Sequence, residues 1–329
     1  MPADNPDAGR EGPAPVLFVG GTGRSGTHVV AKLAARNSNY RLVPIETRFH
    51  VDADGFPGLL SGAVTKAEFV KRMRGFWWKG FQTDRMRGLY RFVPRERFDA
   101  ALATFSDRFE DDREEACRAL FYDLLWPVTT ERGSGEARAI VEQSCDVIAQ
   151  APTLVRLFPE AKFVHVVRDG RDASASRVSQ QRVLVYPRTR RQGLEWWEGR
   201  LRAIDQGGRA IPEGRLLELG LDDLLVRGPR RRAVEELARF AGVGPGMRMR
   251  RFLRRRMNPD QANRERWRRG LSESEQAEIE RRYVAILERL ERDGVTSAPI
   301  LRRAYERTRE RAEAPAAGGD APPAYDPSA

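Results

Sequence analysis

Two short stretches hold the residues whose types and spacing could do chemistry. The first is "GGTGRSGTH", in which Gly20, Gly21 and Gly23 precede Arg24, Ser25, Gly26, Thr27 and His28. Glycines let the backbone turn with positive φ and approach an anion, the hydroxyls of Ser25 and Thr27 add donors, and Arg24 adds a planar positive fork. A helix opening near Thr27 would turn its unpaired N–H groups and the positive end of its dipole toward the same anion. The loop is not one that hydrolyses ATP. The pattern G-x-x-x-x-G-K-[ST], laid on Gly21 to His28, puts Thr27 where the lysine belongs. The second stretch, "FVHVVRDGRDASASRV", places Arg168 at the end of an apolar run and Ser176 eight residues on. That is about two helical turns into the next element, so both side chains can converge on one phosphate group.

The elements that must position these residues follow from the pattern around them. Short apolar runs rich in β-branched residues occur at Val16 to Val19, around Arg41 to Pro44, at Ala139 to Val141, at Lys162 to Val167 and at Arg215 to Leu219, each followed by helical spacing. This alternation predicts a three-layer α/β fold: a mostly parallel central sheet flanked by helices, with ligands at the carboxyl ends of the strands. Residues 56–138 read as a helical insertion between strands 2 and 3, with helices over Lys66 to Trp78, Glu96 to Phe109 and Arg113 to Val128. Its "GFWWKGF" cluster has two readings: Trp77 and Trp78 as core anchors, or one of them as the lining of an acceptor pocket. In "LVPIETRFH", Glu46 and His50 fall at the ligand edge after strand 2, where a general base would stand; an ion pair of Glu46 with Arg48 is the plainer alternative. His165 alternates with valines in a central strand and reads as a core residue.

At 329 residues and 40% apolar the chain can bury a full core. Its net charge is +11, and five of the 58 basic residues are lysine. Arginine therefore carries the excess, which suits forked recognition of phosphate, sulfate or carboxylate. Two cysteines, Cys117 and Cys145, make no disulfide framework and point to a reducing compartment. With neither a secretory leader nor a membrane-length apolar window, a cytoplasmic location is expected. Residues 1–14 and 314–329, rich in Pro, Gly, Ala and Asp, are expected to be disordered, flanking a single domain over 15–295 and a C-terminal helix over 296–313.

Together the two motifs resemble those of the sulfotransferases that use 3′-phosphoadenosine 5′-phosphosulfate (PAPS). "GTGRSGTH" is similar to the family's R/K-S-G-T-T loop, and Arg168 with Ser176 to its strand-end arginine and following serine. "GRLLELGLDDLL" and "RERWRRGL" extend the likeness, which covers about residues 15 to 292. "ETR", Glu46 to Arg48, resembles tyrosylprotein and several bacterial members. The resemblance implies a P-loop-NTPase-like fold in which Gly23, Arg24, Ser25, Gly26, Thr27 and His28 bind the phosphosulfate. Arg168 and Ser176 would bind the 3′-phosphate, and the segment of Arg266 and Trp267 would close over the nucleotide. It implies catalysis by Glu46 as base and Arg24 on the leaving phosphate oxygen, no required metal, and a hydroxyl acceptor, here a small molecule or carbohydrate. Two positions depart from the family pattern: His28 stands where a second threonine is usual, and Gln143 where relatives often carry lysine.

Two other classes fit the sequence less well. A P-loop kinase lacks its lysine after Gly26 and a clear acidic strand end for magnesium. A nucleic-acid-binding protein draws on the basic run from Arg248 to Arg269. A nucleotide with several negative charges accounts for that run without a polymer, so neither nucleic acid nor membrane is expected as a partner.

Overall fold

A computed structural model describes residues 14–37, 40–80, 88–130, 139–180, 186–257 and 264–313. The ends expected to be disordered, apart from Ala14, lie outside the described residues, as do Phe81 and the middle of the basic run at 258–263. Five strands form one parallel sheet: β1 (Val16–Gly20), β2 (Tyr40–Leu42), β3 (Ala139–Glu142), β4 (Lys162–Val167) and β5 (Leu216–Gly220), in the spatial order β2-β3-β1-β4-β5. The most apolar run, β1, is central, and all five of its residues are buried. Its registers, Phe18 opposite both Glu142 and Phe163, and Gly20 opposite His165, bring the ends of β1, β3 and β4 to one edge.

The helices, in chain order, are α1 (Thr27–Ala34), α2 (Phe56–Ser61), α3 (Lys66–Arg72), α4 (Arg95–Arg108), α5 (Arg113–Thr130), α6 (Ala151–Leu157), α7 (Gly170–Val178), α8 (Arg190–Gly208), α9 (Leu221–Leu225), α10 (Arg227–Phe240), α11 (Met247–Arg256), α12 (Glu273–Arg292) and α13 (Ala298–Glu313). Alternation along the strands sends side chains to two faces. Phe18, Ile140 and Phe163 pack with the insertion helices, while Leu17, Val19, Val141, Val164 and Val166 pack with α1, α10 and α11. A third cluster joins Val167, Ala173 and Trp197 to Trp267, Tyr283 and Leu301, so α13 shares a core with α7, α8 and α12. Among the described residues no helix is long and apolar enough to cross a membrane.

The insertion adds a chain of aromatic rings to the first of these clusters. Phe49, Phe56, Phe69 and Phe105 follow one another at centroid distances of 5.3–5.7 Å, and Trp77 joins at 5.8 Å from Phe69. Of the two readings of the tryptophans, the structure supports the core anchor for Trp77, which is 4% exposed and ends a π-helical turn, Met73–Trp77. Trp78 packs 4.3 Å from Phe98. Trp77 does one thing more: its Nε1 donates to Asp52 Oδ2 at 3.0 Å, tying the insertion to the loop after β2.

Candidate active site

The glycine-rich turn leaves the central strand and enters α1. Gly23, Arg24 and Gly26 have φ of 82°, 61° and 89°, so the chain runs through the left-handed region three times before the helix starts. Glycine at position 21 is required by close approach: a Cβ there would lie 2.3 Å from Ser25 Oγ and 2.8 Å from the Val166 carbonyl. Gly26 caps α1 without a side-chain acceptor, leaving the first-turn N–H groups to an external anion. Ser25 is fully buried, and its Oγ meets no partner among the described residues. A buried hydroxyl without a partner, facing a helix start, fits a phosphate oxygen.

The second motif meets the first directly. Arg24 Nε donates to Ser176 Oγ at 3.0 Å, and Arg168 Nη1 donates to the Arg24 carbonyl at 2.9 Å. The amide oxygen of Gln180, in the orientation its neighbours favour, accepts from both terminal nitrogens of Arg24. Arg24, expected at the leaving phosphate oxygen, thus lies across the two anion motifs. Asp169 caps α7 by accepting from Arg171 N at 2.8 Å, which fixes the direction in which the helix carries Ser176.

The third part is the loop after β2. Glu46 lies 3.7 Å from Arg48 Nη1, and Cys145 Sγ donates to its Oε1 at 3.7 Å. Burial raises the Glu46 carboxyl above its ordinary value, the Arg48 guanidinium opposing and the charge of Glu142 reinforcing it. Burial also pushes the Cys145 thiol up to about 12, which keeps it a donor. Arg48, itself in the left-handed region, pairs with Asp52 and with Asp146 Oδ2 at 3.2 Å; Arg200 of α8 closes the group on Asp146.

His50, the other candidate base, is fully buried, stacked 5.9 Å from Phe18, with Nε2 3.1 Å from Glu142 Oε2, whereas the Glu46 side chain is partly exposed. Glu142 accepts from Ser144 N at 2.9 Å and Ser144 Oγ at 2.7 Å, and Arg48 N donates to Ser144 Oγ at 3.4 Å. This buried network pins the loop that carries Glu46 to the end of β3. His165 is a core residue, as expected, with Nδ1 3.0 Å from Glu218.

The two departures from the family pattern answer each other: His28 Nδ1 and Gln143 Oε1 are 2.8 Å apart. Burial lowers the His28 pKa, which favours the neutral ring. The Trp267 side chain, expected at the nucleotide, is 1% exposed, with the Arg171 and Arg268 guanidinium groups 5.0 and 4.4 Å from its ring, and it anchors its segment. The basic run divides in two. Helix α11 turns its arginines outward and buries Met249, Phe252 and Leu253, whereas after it Arg264 pairs with Asp222 of α9, the Trp267 backbone donates to Asp172 of α7, and Arg268 reaches Glu280 of α12. Sequence reasoning missed Trp196 and Arg200, both on α8. The Trp196 ring would lie 3.6 Å from a Cβ on Gly23, and Arg200 reaches Asp146.

The model of the sulfotransferase family matches residues 15–244, and the chain belongs to that family. No curated protein matches it. Solved structures similar to it include the sulfotransferase domain of the olefin synthase from Synechococcus PCC 7002, 18% identical over 80% of this chain and 91% of that one, with a TM-score of 0.46. Two mycobacterial sulfotransferases are also similar. STF9 from Mycobacterium avium is 13% identical over 76% and 69% of the two chains, with a TM-score of 0.40. STF1 from Mycobacterium tuberculosis H37Rv is 12% identical over 74% and 71%, with a TM-score of 0.42.

Proposed function

We propose that this sulfotransferase moves a sulfuryl group from PAPS to a hydroxyl of a small-molecule or carbohydrate acceptor. The observation that carries the reading is the joining of the two anion motifs through Arg24, whose guanidinium meets Ser176 while its carbonyl accepts from Arg168. A phosphate at each end of one nucleotide calls for such a pair of sites. When bound, PAPS supplies a sulfuryl group on its 5′-phosphate, and adenosine 3′,5′-bisphosphate is left after transfer.

The chain's own residues do the rest. The N–H groups of Ser25 to His28 and the hydroxyls of Ser25 and Thr27 hold the 5′-phosphate, Arg24 offsets charge on its oxygens, and Arg168 with Ser176 holds the 3′-phosphate. Glu46 takes the acceptor's proton at its carboxylate. Burial raises its pKa, which strengthens it as a base. Trp196 and the Arg48–Asp146–Arg200 group border the acceptor side and orient the hydroxyl toward Glu46.

The test is turnover of PAPS to adenosine 3′,5′-bisphosphate against a panel of hydroxyl acceptors, by the unaltered chain and by Glu46→Gln. The variant is expected to lose at least about a hundredfold in rate with bisphosphate affinity intact; near-normal turnover would place the base elsewhere.

A further inference from the structure

The arginine that begins α8 stands out once its surroundings are added up. Gly193, within the first turn of α8, lies so near α7 that a Cβ on it would be 2.9 Å from Ser174 Cβ, which sets the start of α8 beside the helix that carries Ser176. Arg190 is half-buried there, and its Nη1 is buried with no hydrogen-bond partner among the described residues. Neither Arg190 nor Arg266 has an ion pair among the described residues, although most other arginines around this edge do, Arg171, Arg200, Arg264 and Arg268 among them.

The carboxylate whose charge acts on Arg190 is already in use. Asp172, 6% exposed, accepts from Glu265 N at 2.9 Å on one oxygen and from Trp267 N at 3.2 Å on the other. Those two bonds fix the backbone on either side of Arg266. Arg266 is close enough for its charge to act, after burial, as the second cause that lowers the Arg190 pKa, with Asp172 opposing. Burial and the charge of Asp169 push the Asp172 carboxyl up to about 6, with Arg168 opposing, so Arg168 and Arg190 both act on this one carboxylate. Holding like charges together in a half-buried place is unfavourable unless an anion joins them.

We propose that Arg190 joins Arg266 in completing the 3′-phosphate site begun by Arg168 and Ser176, and that Asp172 positions the pair by holding the backbone of Glu265 and Trp267. The proposal rests on the PAPS reading above, and it adds a phosphate-binding residue and a positioning residue that the motifs do not contain. Asp172 touches no phosphate. It acts by keeping Arg266 aimed, and Arg171, clasped by Asp169 and set among Trp267, Tyr283 and Tyr305, keeps the same segment seated from below.

The experiment is calorimetric titration of the full chain and of Arg190→Gln, Asp172→Asn and Arg168→Ala with two nucleotides, adenosine 3′,5′-bisphosphate and adenosine 5′-phosphosulfate, which lacks the 3′-phosphate. Arg190→Gln is expected to weaken the bisphosphate by at least about tenfold, the loss of a charged hydrogen bond, and to leave the phosphosulfate within about twofold. Asp172→Asn is expected to do the same with an unchanged unfolding midpoint, and the double variant to lose less than the product of the two single losses. Unchanged bisphosphate affinity in Arg190→Gln, or equal loss for both nucleotides, overturns the proposal. If Asp172→Asn fails to fold, Arg190→Gln alone decides. An unaltered chain that does not prefer the bisphosphate overturns the PAPS reading and this proposal together, whereas a preference abolished by Arg168→Ala but untouched by Arg190→Gln overturns this proposal alone.

Discussion

The role of Glu46 can be tested through its neighbours. Arg48 Nη1 lies 3.7 Å from Glu46 Oε2, and the Glu46 side chain is 35% exposed, so the water-like limit of Coulomb's law is the conservative choice. A unit charge at that distance contributes about 1.1 kcal/mol, or about 0.8 pH unit in the ionisation of the partner. Arg48 favours the carboxylate, so Arg48→Gln raises the Glu46 pKa and moves the acid limb of kcat/KM against pH upward by about 0.8 unit or more. Well below the limb the variant is slower by about sixfold, and the deficit closes as pH rises. Glu142 disfavours the Glu46 carboxylate, so Glu142→Gln moves the same limb downward. The assay is PAPS turnover from pH 5 to 9 with an acceptor taken from the panel. An acid limb that Arg48→Gln leaves in place, or that both variants move in one direction, would refute the assignment of the limb to Glu46.

Two further outcomes concern the framework. Glu142→Ala strips a fully buried carboxylate from His50 and Ser144 and is expected to cost about 3–5 kcal/mol in denaturant unfolding. Burial alone would raise that carboxyl, but His50 and the Ser144 donors outweigh it and hold it below its ordinary value. Its contribution is therefore present above the unfolded carboxylate pKa and fades as pH falls through the lowered folded one, so the gap between variant and parent should narrow in acid; a gap that widens there contradicts the pairing. Gly21→Ala drives a methyl into Ser25 Oγ and the Val166 carbonyl, the second of which cannot rotate away. It should lose bisphosphate binding for about 1–3 kcal/mol of stability, and retained affinity would show that the turn is not the phosphate cradle.

Much of the framework was legible in the sequence because it is written locally. Each of the five strands is an apolar run a few residues long, and the glycines of the turn stand where positive φ and close approach demand them. That the Arg24 loop and the Arg168–Ser176 segment stand at one edge was legible, because both follow strands that a parallel sheet aligns; that Arg24 bonds Ser176 was not. What was not legible depends on packing between distant segments. Helical spacing shows which face of α8 is apolar, but not that Trp196 abuts Gly23 or that Arg200 reaches Asp146. That Trp267 is buried could not be read from its segment, because the Arg171 guanidinium that lies over its ring comes from α7 and the cluster it joins is built from α8, α12 and α13. The pairing of His28 with Gln143, 115 residues apart, could not be read from either position alone.

The central claim is that the cradle and the Arg168–Ser176 site bind one 3′-phosphorylated nucleotide. Calorimetric titration of the unaltered chain with adenosine 3′,5′-bisphosphate and with ATP, each in EDTA and then in magnesium, tests it most directly. The account predicts bisphosphate binding unaffected by EDTA and at least about tenfold tighter than ATP, the worth of one charged hydrogen bond. ATP binding that depends on magnesium and equals or exceeds that of the bisphosphate would contradict it.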